Sequence, residues 1–122
     1  MSRITTHVLD TVLGKPAAGI LVQLERMLGG VSWSNEGVRH EDAQWILISA
    51  GKTDADGRCS DLKNEASPGR YRLTFNTGVY LKLLGRQTVY PEISVAFDCD
   101  GAPHYHLPLL LSDNSYTTYR GS

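Results

Sequence analysis

The chain has 122 residues, 41% of them hydrophobic and 20% charged, with a formal net charge of −1 at pH 7. Residues 1–122 suit a single domain, and one of this length buries roughly two-thirds of its unfolded surface. The near-neutral balance, with no basic cluster, argues against nucleic acid or an anionic membrane as partner. No apolar run approaches the ~20 residues of a membrane span, and the opening MSRITTHVLD lacks the apolar stretch of a secretory signal. Two cysteines, Cys59 and Cys99, make no disulfide framework and read as free thiols in a reducing compartment. The expectation is a soluble cytoplasmic protein. The chain ends in Arg-Gly-Ser rather than a peroxisomal Ser-Lys-Leu, which leaves a peroxisomal location without a clear signal.

Short alternating runs rich in Val, Ile, Thr and Tyr, broken by turn residues, predict an all-β fold. In chain order, strands are expected near Thr5–Asp10, Gly19–Arg26, Trp45–Ser49, Arg70–Asn76, Glu92–Cys99, His104–Leu111 and Tyr116–Arg120. Turns fall at Gly14-Lys15-Pro16, Asp54-Ala55-Asp56-Gly57, Ser67-Pro68-Gly69 and Asp100-Gly101, where Asx and Gly tolerate tight geometry. Between the first and second halves, Leu28–Gln44 is polar, Gly-rich and without period; connections this long tend to be functional or mobile. One segment breaks the β pattern. Thr77 is an N-cap candidate, Gly85 a stop, and Val79, Tyr80, Leu83 and Leu84 mark one face of a two-turn helix. About seven to eight strands and one helix suggest a two-sheet sandwich.

The candidate chemistry lies on strands and one turn. His104 and His106 are separated by one residue, so both imidazoles leave the same face of a strand. That spacing can share a metal, yet zinc sites take three or four protein ligands, and neither His7 nor Cys59 can be added by spacing. General acid–base work or substrate contact is the better use of an imidazole that titrates near neutrality. His7, in Thr-Thr-His-Val-Leu-Asp, would in isolation be a structural hydrogen-bonder. Arg58 closes Asp54-Ala-Asp-Gly-Arg: either a solvated turn arginine or a planar fork for an oxygen-rich substrate. That run lacks the ligand pattern of a calcium loop. The tail Tyr119-Arg120-Gly121-Ser122 continues an aromatic strand, and a carboxylate at Ser122 could orient an imidazole as a triad aspartate does.

Taken together, Thr6-His7-Val8-Leu9-Asp10, Gly14-x-Pro16-Ala17, Thr53-Asp54-x-Asp56-Gly57-Arg58, Tyr90-Pro91-Glu92, His104-Tyr105-His106-x-Pro108-Leu109-Leu110-Leu111-Ser112 and the terminal Tyr119-Arg120-Gly121-Ser122 resemble the 5-hydroxyisourate hydrolases, transthyretin-related enzymes of urate breakdown. The resemblance implies a transthyretin-like sandwich of two four-stranded sheets, a homotetramer built as a dimer of dimers, and active sites in the groove between dimers. It implies hydrolysis of 5-hydroxyisourate to 2-oxo-4-hydroxy-4-carboxy-5-ureidoimidazoline without a metal or organic cofactor. Carried over by motif, His7, Arg58, His106 and Ser122 are the catalytic groups, Tyr119 joins His7 and Arg58 on the substrate, and His104 supports. Which histidine is the general base stays open. A non-catalytic carrier of small aromatic ligands, on the same fold, is the alternative. The chain departs from the family in its long Leu28–Gln44 connection, which could be a lid, a contact surface or an idle insertion. It also has Asp113-Asn114 where a proline and an aromatic are usual.

Overall fold

A computed structural model describes residues 1–42 and 44–121, with the side chains of Glu41 and Asp61 left out of the description. Eleven strands and one helix follow in the order β1 (Ser2–Asp10), β2 (Lys15–Pro16), β3 (Leu21–Leu28), β4 (Val31–Trp33), β5 (Arg39–Glu41), β6 (Gln44–Lys52), β7 (Arg58–Ala66), β8 (Gly69–Phe75), α1 (Thr77–Leu83), β9 (Ile93–Cys99), β10 (His104–Leu111) and β11 (Tyr116–Thr118). One sheet runs β11-β10-β1, with both β2 and β7 on the far side of β1. The other runs β6-β3-β8-β9, and β4-β5 form a separate ribbon. Each sheet turns its apolar side residues inward. Ile4 and Val8 of β1, Leu24 of β3, Leu73 and Phe75 of β8, and Leu109 and Leu111 of β10 are essentially removed from water, each worth roughly 1.5–3 kcal/mol of burial. This is the expected sandwich, with short additional strands raising the count.

β1 and β10 pair in parallel, with Thr5 beside His106 and His7 beside Pro108. β7 runs antiparallel on the other edge of β1 and sets His7 opposite Arg58. No strand is expected over Arg58–Ala66 from the sequence, because the pairing register slips twice along it. Those bulges put Cys59, Leu62 and Ala66 in the core, so the inward residues are three and four apart rather than two.

The Leu28–Gln44 segment is not a structureless loop. β3 and β6 pair as far as Leu28 and Gln44, and β4 and β5 then carry the same hairpin outward, with Trp33 opposite Arg39. The Asp42 carboxylate accepts from the Gly30 N–H at 2.8 Å at its base. Polar residues on both faces hide such a ribbon, since nothing covers either side and no alternation is required.

The helix also differs from its expected form. Asn76, not Thr77, holds the N-cap position, and Thr77 and Leu81 are the buried residues. Val79, Leu83 and Leu84 are exposed, so the apolar face read from the sequence points away from the core. Its end is as expected. Gly85 takes φ +72°, its N–H donates to Lys82 O at 3.0 Å, and the Arg86 N–H donates to Leu81 O at 2.9 Å, the double bond of a Schellman stop.

Just past the helix, Arg86 ties three parts of the molecule together. Its Nη1 donates to Asp10 Oδ2 at 2.5 Å and its Nη2 meets Asp113 Oδ1 at 2.6 Å. The Tyr80 hydroxyl donates to the same Asp10 oxygen at 2.8 Å. Burial alone would raise the Asp10 pKa; Arg86, the Leu13 N–H and Tyr80 more than reverse this and hold the carboxyl below its ordinary range. Burial and the neighbouring Asp10 push the Tyr80 phenol up to about 12. Asn114 completes the clamp by accepting from the Val89 N–H at 2.9 Å. Asp113-Asn114, a departure at the sequence level, thus anchors the β10–β11 turn to the segment after α1.

Candidate active site

Strand alternation places Arg3, Thr5 and His7 of β1, His104 and His106 of β10, and Arg58 and Ser60 of β7 on the side of the sheet that faces away from the sandwich core. Three sheet neighbours therefore offer their polar sides to one cleft of about 180 Å³, lined by Arg3, Arg58, Ser60, His104 and His106 among others. No carboxylate is among its described lining.

Arg58 is delivered by the turn before β7. Asp54 Oδ1 accepts from the N–H groups of Asp56 and Arg58, each at 2.9 Å. Gly57, at φ +76°, packs where a Cβ would sit 2.3 Å from Val8 O, so only glycine lets the turn dock on β1. The Val8 N–H donates to Gly57 O at 2.8 Å. That docking presents the Asp56 carbonyl to His7, whose Nε2–H donates to it at 2.7 Å. A carbonyl oxygen only accepts, so this bond fixes the proton of neutral His7 on Nε2.

The His106 imidazole is perturbed by its surroundings. Burial first, then the positive charges of His104, Arg58 and His7, hold its pKa below the ordinary 6.5. It is therefore a neutral ring at pH 7, with a lone pair for a proton. Thr5 Oγ lies 2.7 Å from His106 Nδ1 and 2.7 Å from His104 Nε2. Among the described residues nothing bonds His106 Nε2. The tail returns to the same ring: the Gly121 N–H donates to His106 O at 2.7 Å, and a Cβ on Gly121 would lie 2.8 Å from His106 Cδ2. Ser122 lies outside the described residues. Tyr119 is exposed and does not line this cleft, while the Arg120 guanidinium stacks 4.4 Å above the Tyr105 ring.

Of the residues expected from the sequence, Arg58, His104 and His106 line the cleft, while His7 stands opposite Arg58 on β1 and is not among the lining. Thr5, Arg3 and the Asp56 carbonyl were not foreseen. Alternation alone puts Thr5 on the His7 side of β1, but the parallel pairing that sets it between two imidazoles is invisible without β10 in place. Among the described residues no three His, Cys, Asp or Glu side chains converge to hold a metal. The two histidines turn one nitrogen each to Thr5 instead.

Comparison with known proteins gives this arrangement a context. The model of the HIUase/Transthyretin family matches residues 4–121. The chain belongs to this family. The 5-hydroxyisourate hydrolase of Salmonella typhimurium is 41% identical, over 98% of this chain and 80% of that relative. The structure of Klebsiella pneumoniae 5-hydroxyisourate hydrolase superposes with a TM-score of 0.81 at 32% identity, covering all of both chains. Transthyretin from Sparus aurata is also similar, with a TM-score of 0.80 at 30% identity, covering 99% of this chain and 97% of that one. Family membership therefore secures the fold, while the choice between hydrolase and carrier rests on the cleft.

Proposed function

We propose that this chain is a 5-hydroxyisourate hydrolase, opening the six-membered ring of its substrate to give 2-oxo-4-hydroxy-4-carboxy-5-ureidoimidazoline. The observation that carries the reading is an imidazole held neutral, His106, facing the same cleft as the Arg58 guanidinium. A carrier of aromatic ligands gains nothing from a proton acceptor beside a fixed cation. Water adding to a ring amide needs both: a base for its proton and a positive group for the charge that grows on the carbonyl oxygen.

His106 Nε2 takes the proton of the attacking water. Arg58 receives the developing oxyanion with its planar donors. The ring nitrogen then leaves with the proton returned from the imidazolium. His7, whose Nε2–H is committed to the Asp56 carbonyl, serves as a donor and positioning group rather than as the base. Tyr119, outside this chain's own cleft, is a substrate contact on the family resemblance alone, and Ser122, next to a Gly121 already fixed on His106, completes the site. The chemistry uses no metal or organic cofactor, and full turnover after exhaustive chelation is the expected result.

The working unit in this reading is one domain per chain in a homotetramer, a dimer of dimers. A cleft of about 180 Å³ falls short of the ~300 Å³ typical of small-molecule sites, which supports a second copy supplying the missing wall. Ile46, Leu47 and Ile48 of β6 are exposed and give copies an apolar surface to share. Two buried thiols not joined in a disulfide, Cys59 and Cys99, suit the reducing cytoplasm. The test is to mix the protein with freshly made 5-hydroxyisourate and follow its ultraviolet absorbance. Decay faster than the spontaneous rate supports the hydrolase; tight binding with unchanged decay supports the carrier.

A further inference from the structure

We propose that Thr5 is a positioning residue that joins His104 and His106 into one proton-accepting unit and fixes the tautomer in which His106 Nε2 is free to act as base. The inference deepens the hydrolase reading and rests on it for its link to turnover, though its structural half can be tested separately.

Thr5 is a buried residue whose hydroxyl touches both imidazoles at 2.7 Å. A hydroxyl carries one proton and accepts through its lone pairs. It cannot donate to both rings, so in the neutral cluster at least one ring must donate to it, and where its own proton serves the second ring, one ring donates and the other accepts. With His106 as base, the order is His106 Nδ1–H to Thr5 Oγ, and Thr5 Oγ–H to His104 Nε2. A triad carboxylate orients its imidazole through this same Nδ1; here the described lining supplies a threonine instead.

The arrangement also gives the captured proton a route. Water's proton forms a bond to His106 Nε2. The Nδ1–H bond then breaks as a new Thr5 Oγ–H bond forms, and the original Oγ–H bond breaks as His104 Nε2 gains its proton. One positive charge moves from His106 to His104, and no other reactant is needed. Reversal of the same shift restores the proton to the leaving nitrogen through Nε2. His7 on β1, Arg58 on β7 and His104 on β10 all disfavour charge on the His106 ring. Moving the charge to His104 carries it one step along β10 from the His7–Arg58 pair, to the position beside Arg3.

The experiment compares Thr5→Val, which keeps shape and loses the hydroxyl, with Thr5→Ser, which keeps the hydroxyl. Long-range ¹H–¹⁵N spectra of the histidine rings report the tautomer, and steady-state kinetics report turnover. In the native protein the His106 proton is expected on Nδ1, and in Thr5→Val it moves to Nε2, the site a free neutral ring prefers. With the wrong tautomer, kcat should fall by roughly 10–100-fold with KM little changed, below the ~10⁴-fold loss of a triad that loses its orienting carboxylate. Thr5→Ser should retain most of kcat and the native spectrum. Thr5→Ala repeats the measurement without added bulk. A folded Thr5→Val with native tautomer and native kcat overturns the proposal, as does a Thr5→Ser as impaired as Thr5→Val. Full turnover in His106→Ala would instead remove the base assignment, while the tautomer in Thr5→Val would still decide whether Thr5 controls the ring.

Discussion

The strongest stability prediction concerns Asp10→Asn. The Asp10 side chain is 0% exposed and its partner Arg86 13%, so the pair is largely removed from solvent. Its carboxylate accepts from the Val12 and Leu13 N–H groups at 3.1 Å each, from Tyr80 Oη at 2.8 Å, and from Arg86 Nη1 at 2.5 Å and Nη2 at 3.2 Å. Asparagine retains one oxygen, which can still serve the two backbone donors. Its amide group then turns its hydrogens toward Tyr80, whose hydroxyl can rotate to accept, and toward Arg86, which can only donate, so the guanidinium is left facing a donor. At an effective dielectric of 20 a charge pair 4 Å apart is worth ~4 kcal/mol. Asp113, 39% exposed and 2.6 Å from Arg86, offsets part of the loss. The net cost should be about 3 kcal/mol, at the lower end for breaking a buried pair, and a fall in Tm of roughly 10 °C. Urea denaturation and thermal melts at pH 7 measure it. Because the native carboxyl titrates below its ordinary 3.8, its contribution is fully present above that value and is lost as pH falls through the native pKa. The gap between native protein and variant should therefore hold at neutral pH and close in acid. Asp10→Leu combined with Arg86→Met should be less destabilised than Asp10→Asn. A loss under ~1 kcal/mol, or a double variant no better than the sum of its parts, would refute the reasoning.

Three further predictions concern the cleft and its surroundings. The acid limb of kcat/KM should have its midpoint below 6.5, because burial and the neighbouring cations keep the His106 ring from protonating; a midpoint above 6.5 would count against His106 as base. Gly121→Ala should lower kcat while leaving Tm nearly unchanged, since its Cβ would meet the His106 ring at 2.8 Å and one of the two must move; native kinetics would show the tail has no hold on the ring. Replacing residues 29–43 by a two-residue Asn-Gly turn between β3 and β6 should leave kcat and KM unchanged, because the ribbon extends the sheet that does not carry the cleft. A raised KM in that variant would make the ribbon part of the site.

How much of this was legible beforehand depends on the residue. The leucine-rich strand His104–Leu111, the Asp54–Gly57 turn and the Gly85 stop follow from local chemistry, and the sequence reads them correctly. Arg58 and His7 could be named, yet not paired, because β7 hides behind bulges that replace period two with spacings of three and four. The helix face was misread for a related reason: Val79, Leu83 and Leu84 have the periodicity of a core face, but Thr77 and Leu81 are the buried residues, with Tyr80 packed against the core. The contact of Asp10 with Tyr80 and Arg86 gave no signal at all. A charge network joining residues 10, 80, 86 and 113 has no sequence spacing to betray it. Thr5 lies between these extremes, with its face readable from the strand and its partners set by a strand about a hundred positions away.

The parallel pairing of the first long strand with β10 has a consequence for when activity can appear during synthesis. Thr5 is translated about a hundred residues before its partner His106, and contacts this distant in sequence form slowly. Until then β1 has one edge without its neighbour, a state prone to mispairing with other chains. A nascent chain that has not yet reached β10 therefore lacks the His104–His106 face of the cleft and leaves one edge of β1 bare, so the same pairing event builds the cleft wall and removes the hazard.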